Sequence, residues 1–226
     1  MAIAIILSGG TGLRASPDIP KQYIEVNNIP VIADSINVFE GHEDIFKYVI
    51  VAADKWTDYI TKFTGEKFIG FAPAGETRQL SILNGLKVLS NIAADDDTII
   101  IHDAARPFVS ADTISALVNA CKTHDGAMPA LPVKDTIYIR KGNKVHSLID
   151  RDTIISGQAP EAFLYKKYLE ANEALLPEKI MSIKGSTEPA FMAGMDVAVI
   201  DGDENNFKIT TKEDLERYIL IKSRDN

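Results

Sequence analysis

IAIILSGGTGLRASPDIPKQY, residues 3–23, is the stretch around which the rest of the chain is organised. Its apolar start, residues 3–7, predicts a central strand buried on both faces. The Ser-Gly-Gly-Thr-Gly loop at 8–12 follows at once, and glycine lets a loop backbone approach a ligand closely. The amides of such a loop can converge on phosphate oxygens or on a base edge. Because Arg14 and Lys21 flank it with two cations, the stretch is typical of a nucleoside triphosphate site.

Two other interpretations of this loop remain open. Gly10, Gly12 and Ala15 fit the dinucleotide fingerprint G-x-G-x-x-G/A, which would make the protein an NAD-dependent oxidoreductase. That fingerprint needs a helix that starts inside it. Pro17 and Pro20 lie where the helix would run, and an interior proline costs roughly 3 kcal/mol. The second alternative is a tight turn without a ligand. The Walker A form is absent, because no Gly-Lys-Ser/Thr follows.

Composition predicts an ordinary globular protein organised as a single domain over residues 1–226. Hydrophobic residues make up 46% of the chain and charged residues 25%, which is usual for this class. Neither a membrane span nor a secretion signal is expected, because no apolar run is long enough to span a membrane and no basic-then-apolar pattern is visible before the first strand. The one cysteine, Cys121, fits a reducing compartment, so a cytoplasmic location is expected.

The net charge limits the classes of partner that the protein is expected to bind. The formal net charge is −8, whereas nucleic-acid binding draws most of its affinity from a basic face, so no nucleic-acid partner is expected. An acidic chain that binds a polyanion must gather its positive charge locally. The four histidines show no metal-ligand spacing, and no pair of cysteines accompanies them, so no zinc site is expected.

Strand and helix patterns alternate along the chain, which predicts a three-layer α/β/α architecture with a mostly parallel, Rossmann-like sheet. Predicted strands cover 3–7, 48–53, 68–73, 98–101, 127–133 and 196–200, and predicted helices cover 31–39, 56–63, 74–89, a segment from about 110, 164–176 and a last segment that a capping box at 211–214 opens. Ligands bind such sheets at the carboxyl ends of the strands. The loops at 8–12, 75–81 and 102–106 are therefore expected to meet at one edge.

A hairpin interrupts this alternation. Residues 135–140 alternate between apolar and polar, turn through 141–144 and return at 145–149. A two-stranded hairpin is barely stable alone, and its apolar face needs cover. We therefore predict that residues 134–156 form an arm that packs on a second subunit, which would make the protein a homodimer.

Seven ordered motifs resemble one known family. They are Ser8-Gly9-Gly10-x-Gly12-x-Arg14, Pro20-Lys21-Gln22-Tyr23, Glu76-x-Arg78-x-x-Ser81, His-Asp-Ala-Ala-Arg-Pro at 102–107, Pro-Val-Lys-Asp-Thr at 132–136, Asp150-Arg151 and Phe-Lys-Ile-Thr-Thr at 207–211. The chain resembles the methylerythritol phosphate cytidylyltransferases, whose close relatives include the ribitol 5-phosphate cytidylyltransferases. The matches extend over residues 3–215.

The resemblance implies a nucleotidyltransferase fold and a set of site residues. Members of the family transfer CMP from CTP to the phosphate of a sugar alcohol, release pyrophosphate and use Mg²⁺. By resemblance, the catalytic residues are Arg14, Lys21 and Lys208, the nucleotide-binding residues are Leu7, Ser8, Gly9, Gly10, Gly75, Glu76, Ser81 and Ala104, the metal-binding residue is Asp103, and the acceptor-binding residues are Arg106, Thr136 and Arg151. The expected partners are thus CTP and a sugar-alcohol phosphate.

The sequence departs from the family pattern mainly on the acceptor side. Ala15 follows the loop arginine where the family usually has Met. The family's Thr-Pro-Gln appears as Ala-Pro-Glu at 159–161, and its Asp-Glu-Ala-Ser segment as Ser-Thr-Glu-Pro-Ala at 186–190. The expected acceptor is 2-C-methyl-D-erythritol 4-phosphate, with ribitol 5-phosphate as the alternative. A nucleotide-binding regulator without turnover is a further hypothesis.

Simpler roles are also open for three residues near the predicted site. Arg78 is expected to orient its loop rather than to touch substrate. Asp103 could be a salt-bridge or helix-cap residue instead of a metal ligand. His102, at a strand end, is expected to be a buried hydrogen-bonding residue and not a catalytic base.

Overall fold

A computed structural model of the chain describes residues 1–10 and 19–224. Its strands are β1 (Ala2–Leu7), β2 (Glu25–Val26), β3 (Ile29–Pro30), β4 (Ile45–Ala52), β5 (Phe68–Pro73), β6 (Thr98–Asp103), β7 (Gly126–Pro132), β8 (Ile137–Lys141), β9 (Lys144–Ile149), β10 (Ile155–Gly157), β11 (Glu161–Leu164) and β12 (Val197–Asp201). Its α-helices are α1 (Val31–Gly41), α2 (Thr57–Thr61), α3 (Arg78–Val88), α4 (Ala111–Ala120), α5 (Tyr165–Glu173), α6 (Thr187–Met192) and α7 (Lys212–Lys222). Within these ranges no helix has the length and apolar character needed to cross a membrane.

Eight strands form the main sheet, in the order β10-β7-β11-β6-β1-β4-β5, with β12 paired to β7. Strands β5, β4, β1 and β6 are parallel to one another, and β12 is parallel to β7. Strands β10 and β11 run antiparallel to their neighbours. The predicted mostly parallel sheet is confirmed.

Strand β1 lies at the centre of this sheet and is buried on both faces. Alternate side chains of β1 belong to two different cores. Ala4 and Ile6 pack in the core that α1 and α4 cover, whereas Ile3 and Ile5 pack in the core that α3 and α5 cover. Helices on both faces confirm the three-layer architecture and explain why β1 is a continuous apolar run.

The predicted start of one helix is wrong. The helix expected to open at residue 74 begins at Arg78, because the Thr77 side chain caps it by accepting a hydrogen bond from the Leu80 amide at 3.2 Å. Gly75 and Glu76 therefore lie in the preceding loop. The strand β11 was not predicted, although it fills the gap between β6 and β7.

The last helix is anchored at its start and midway along its length. The predicted capping box at its start is confirmed, with Thr211 and Asp214 bonded reciprocally. The Asp214 carboxylate also accepts from the amide of Thr210 at 2.8 Å. Further along the helix, the Tyr218 hydroxyl donates to Asp34 of α1 at 2.7 Å. These bonds order the start of α7 and join this helix to α1.

Strands β8 and β9 form the predicted hairpin, as a separate two-stranded sheet. Several large apolar side chains on it face solvent in the single chain. Tyr138 is 53% exposed, Val145 68% and Leu148 67%. Whether a second subunit covers them stays a prediction.

Candidate active site

The loop after β1 is packed tightly against the loop after β5. The Ser8 amide donates to the Val51 carbonyl at 2.8 Å, which extends the pairing of β1 with β4 by one residue. A Cβ atom on Gly9 would lie 2.5 Å from the Cβ of Ala74. No side chain fits at such a distance, so glycine at position 9 is what lets the two loops touch.

Gln22 and Tyr23 hold the loop after β1 in place through side-chain hydrogen bonds. The side-chain amide of Gln22 donates from its Nε2 to the backbone carbonyls of Ser8 at 2.7 Å and Gly10 at 2.6 Å. The Tyr23 hydroxyl donates to the Ser8 carbonyl at 2.9 Å and accepts from the Ser8 hydroxyl at 2.7 Å. Only their neighbour Lys21 was predicted to belong to the site; the signal for these two residues is the Gln-Tyr pair directly after that lysine.

Ser81 shapes the loop after β5 from the first turn of α3. Its hydroxyl accepts from the Gly75 amide at 2.9 Å and donates to the Thr77 carbonyl at 3.0 Å. A Cβ atom on Gly75 would lie 2.5 Å from the Cβ of Leu80. The loop backbone therefore lies directly against the helix, and Glu76 is carried at its tip.

These loops surround a cavity of about 560 Å³ at the carboxyl ends of β1, β5 and β6. The predicted residues that line it are Leu7, Gly9, Gly10, Lys21, Gly75, Glu76, Ser81, Asp103 and Lys208, and the residues that were not predicted are Gln22, Thr77, Arg78, Ala105 and Thr210. Lys21 and Lys208 thus face the same space from segments far apart in sequence. Arg14 lies outside the described residues, so its role stays a prediction.

Asp103, the last residue of β6, joins two cations at the cavity wall. Its Oδ1 accepts from the Nε of Arg78 at 3.0 Å, and its Oδ2 accepts from the Nζ of Lys208 at 2.7 Å. Burial alone would raise the pKa of the Asp103 carboxyl, but the charges of Arg78 and Lys208 outweigh it and hold this pKa well below its usual range. Asp103 is therefore an ionised salt-bridge residue in the ligand-free protein.

His102 is fully buried and neutral. Its Nε2 lies 3.2 Å from the Ser35 hydroxyl and 3.1 Å from the Arg106 carbonyl, so Nε2 carries the proton that it donates to this carbonyl. Burial lowers the pKa of His102 to about 3. The expectation that His102 is a buried hydrogen-bonding residue is confirmed.

Five predicted site residues do not line the cavity. Ala104 is fully buried and its amide donates to the Leu7 carbonyl at 3.0 Å, so its neighbour in sequence faces the cavity instead. Ser8 is buried, and its hydroxyl and carbonyl groups are hydrogen-bonded to Gln22 and Tyr23. Arg106 donates to the Asn206 carbonyl at 2.6 Å, and Arg151 donates to the Lys134 carbonyl at 2.9 Å. The fifth, Thr136, is exposed at the start of the hairpin. Their roles in binding stay predictions.

The site has the chemistry of a nucleotidyl-transfer centre. Glycine amides and two lysines face one cavity at the strand ends of a mostly parallel α/β sheet, where such folds bind their ligands. The two lysines gather positive charge that can bind a polyanion in a chain of net charge −8. No dinucleotide-type helix follows β1 in the part described from residue 19 onward, where a short 3-10 turn at Lys21–Tyr23 leads into β2. These features define the class as nucleotidyltransferase.

Comparisons with known proteins identify the family. The family model of 2-C-methyl-D-erythritol 4-phosphate cytidylyltransferase, IspD, matches residues 2–221. An enzyme of that name from Geobacillus kaustophilus is 35% identical over 94% of this chain and 92% of its own. A ribitol-5-phosphate cytidylyltransferase from Lacticaseibacillus paracasei is 31% identical over 95% of both chains. The crystal structure of 4-diphosphocytidyl-2C-methyl-D-erythritol synthase from Anaerococcus prevotii superposes with a TM-score of 0.85 at 26% identity, covering 99% of this chain and 96% of that one.

The chain therefore belongs to the 2-C-methyl-D-erythritol 4-phosphate cytidylyltransferase family, and it is an enzyme of the cytidylyltransferase class. This confirms the resemblance seen in the seven motifs. It also removes the dinucleotide interpretation of the loop after β1.

Two adjacent glycines provide a matched test of the loop geometry. We expect Gly9→Ala to destabilise the protein by about 1–3 kcal/mol, because its Cβ overlaps Ala74 and the loops must separate. Gly10→Ala should change stability by less than about 0.5 kcal/mol, because its Cβ meets no described atom within 4 Å. Urea denaturation of both variants measures the difference, and equal stabilities would contradict the close contact of the two loops.

The burial of neutral His102 predicts how the free energy of unfolding depends on pH. Its folded pKa of about 3 lies below its ordinary value of 6.5, so unfolding takes up a proton between these values. Stability is then highest above pH 6.5 and falls on acidification, by up to about 1.4 kcal/mol per pH unit. His102→Gln should flatten the slope of the unfolding free energy between pH 6.5 and 4, while His146→Gln, exposed on the hairpin, should leave it unchanged. An NMR titration that places the pKa of His102 near 6.5 would refute the assignment.

Proposed function

We propose that this cytidylyltransferase uses 2-C-methyl-D-erythritol 4-phosphate as its acceptor and forms a cytidine diphosphate derivative from it. The observation that carries the proposal is the cavity where Lys21 and Lys208 face glycine-lined strand ends. Family membership supports the use of CTP. The Geobacillus relative and the Anaerococcus structure, both named for methylerythritol chemistry, support this acceptor.

The reaction requires two anions to meet. An oxygen of the acceptor phosphate attacks the α-phosphorus of CTP, and a new P–O bond forms as the bond to the α,β-bridging oxygen breaks. Pyrophosphate leaves with that oxygen. The phosphate is already a good nucleophile, so positioning and charge stabilisation supply the rate and no side-chain nucleophile is needed. Lys21 and Lys208, together with Arg14, are the cations proposed to stabilise the charge.

The nucleotide is proposed to lie across the two glycine loops. The backbones of Gly9, Gly10 and Gly75 are close to the space that the triphosphate and the base would fill. The carboxylate of Glu76 can accept from the exocyclic amine of cytosine, which is the usual partner of a carboxylate on this base. Ser81 supports that contact indirectly, because it holds the Gly75 amide.

Mg²⁺ is proposed to bind between Asp103 and the triphosphate. Among residues 1–10 and 19–224 there is no cluster of three or more metal-ligating side chains. This fits Mg²⁺, which is usually held by one or two carboxylates together with substrate phosphates. Oδ2 of Asp103 accepts a hydrogen bond from Lys208 within residues 1–10 and 19–224, and a carboxylate oxygen has a second lone pair that can face a cation. The ion would neutralise charge on the phosphates.

Ribitol 5-phosphate is the second candidate acceptor. A relative named for this activity covers 95% of the chain at 31% identity, and the chain departs from the methylerythritol pattern at 159–161 and 186–190. The proposed acceptor contacts, Arg106, Thr136 and Arg151, would bind a phosphate that both acceptors carry. Discrimination between the two acceptors must therefore come from the alcohol portion.

Pyrophosphate release with CTP and Mg²⁺ tests this proposal. We expect turnover to be fastest with 2-C-methyl-D-erythritol 4-phosphate in a panel that includes ribitol 5-phosphate and glycerol phosphate. Lys21→Ala and Lys208→Ala should each lower kcat by about 10²–10³, by analogy with the loss of an oxyanion-hole donor. Lys122→Ala, a surface change away from the cavity, should be neutral. Faster turnover of ribitol 5-phosphate would reassign the acceptor, and normal turnover by Lys21→Ala would refute the proposed reaction centre.

We further propose that the protein is a cytoplasmic homodimer that assembles through the arm at 134–156. The exposed apolar side chains of β8 and β9 support this assembly. Sedimentation equilibrium should give twice the chain mass for the wild type. The double change Val145→Asp and Leu148→Asp should give a folded monomer, whereas Phe191→Asp, which changes an exposed apolar residue elsewhere, should remain dimeric. A monomeric wild type would disprove the arm's role.

A further inference from the structure

A buried glutamate lies just behind the cavity wall. Glu161, at the start of β11, does not line the cavity and is shielded from solvent. Its Oε2 accepts from the Ser186 hydroxyl, and its Oε1 accepts from the Thr187 hydroxyl at 3.0 Å. Both hydroxyls belong to the start of α6, so the carboxylate joins this helix to the sheet.

Ser186 links Glu161 to Arg78 through hydrogen bonds. Nη1 of Arg78 donates to the Ser186 hydroxyl oxygen, and the same hydroxyl donates its one proton to Glu161. The hydrogen bonds therefore run in one direction, from Arg78 through Ser186 to Glu161. Nη2 of Arg78 also lies 3.8 Å from the Glu161 carboxylate, so the two groups attract each other directly as well.

Arg78 also binds Asp103 through two of its nitrogens. Its Nε and Nη2 both lie 3.0 Å from Oδ1 of Asp103, and Oδ2 of Asp103 holds Lys208 at 2.7 Å. The result is a row of alternating charges that runs from Glu161 through Arg78 and Asp103 to Lys208. A shift of Glu161 or Ser186 would let Arg78 rotate and would move the carboxylate that faces the cavity.

We propose that Glu161 is a positioning residue for nucleotidyl transfer, which acts through Ser186 and Arg78 to hold Asp103 and Lys208 in place at the cavity wall. The inference rests on the proposed function, since it assumes that Asp103 and Lys208 serve the reaction. Glu161 itself touches no reacting atom.

The energetics favour this role over a purely structural one. Burial raises the pKa of the Glu161 carboxyl, against the opposing charge of Arg78 and the Ser186 hydrogen bond. Keeping this group ionised therefore costs free energy, and buried ion pairs are often no more stable than well-packed apolar replacements. Because the ionised Glu161 carboxylate costs stability, its position beside the cavity is better explained by the groups that it holds in place there.

Two substitutions separate the charge from the hydrogen-bond relay. Glu161→Gln keeps an acceptor but removes the charge, and Ser186→Ala keeps the charge but removes the link to Arg78. Each should lower kcat by about 10- to 100-fold. The KM for CTP should change by less than about threefold, because the glycine loops and Lys21 that hold the nucleotide do not depend on Glu161. Glu170→Gln, an exposed glutamate on α5, is the matched control and should match the wild type.

A second measurement does not depend on turnover. In nitrogen-15 spectra, the Nε–H of Arg78, assigned with Arg78→Lys, should exchange slowly with solvent in the wild type because it is bonded to Asp103. Exchange should be about tenfold faster or more in Glu161→Gln and Ser186→Ala, and unchanged in Glu170→Gln.

The outcomes separate this inference from the proposed function. Lower kcat with a retained KM and faster Arg78 exchange support it. A kcat within about twofold of the wild type in both variants overturns it. If the wild type releases no pyrophosphate with any acceptor, the proposed function fails, and the exchange rates then decide the positioning role: unchanged exchange in both variants overturns it.

Discussion

The bidentate role of Asp103 is the interaction on which the site depends. One carboxylate at the end of β6 binds Arg78 at the start of α3 and Lys208 in the segment before α7. These residues come from three distant parts of the chain, and within the described residues no backbone pairing joins α3 to the last segment. The carboxylate therefore fixes the positions of two cations that the fold alone would leave independent. It also offsets their mutual repulsion, which is strong where burial lowers the effective dielectric.

This pairing resolves a conflict between stability and function in an acidic protein. A site for two phosphates needs positive charge, but an empty site that holds only cations repels itself. In the ligand-free protein Asp103 neutralises part of the positive charge of Arg78 and Lys208, and Lys208, 38% exposed in its side chain, keeps access to the cavity. A polyanionic ligand can then compete for the ammonium group while Arg78 continues to hold the carboxylate.

Local patterns in the sequence were enough to predict the frame of this fold. The apolar run of β1, the glycine loop and the capping box before α7 are each encoded within a few adjacent residues. The contacts that complete the site are not local. Arg78 and Ser186 are 108 positions apart, and the bonds from Gln22 to the loop carbonyls follow no period. Strand β11 has four residues and follows a proline, so it carries too little pattern to be separated from the helix after it. Position in three dimensions, and not residue type, made these groups part of the site.

The same contacts give a physical meaning to the departures from the family pattern. Glu161 belongs to the Ala-Pro-Glu variant and Ser186 to the altered acceptor-side segment, and in the fold these two residues are hydrogen-bonded to each other and connected to Arg78. Two unrelated losses would leave the half-buried Arg78 with Asp103 but without its contacts to Ser186 and Glu161, at a cost in stability that marginally stable proteins rarely tolerate. Here Glu161 supplies an acceptor to the Ser186 hydroxyl, and this hydroxyl in turn accepts from Arg78. The two altered segments therefore meet in one hydrogen-bonded cluster behind the wall of the nucleotide cavity, so in this fold the departures from the family pattern leave that wall supported.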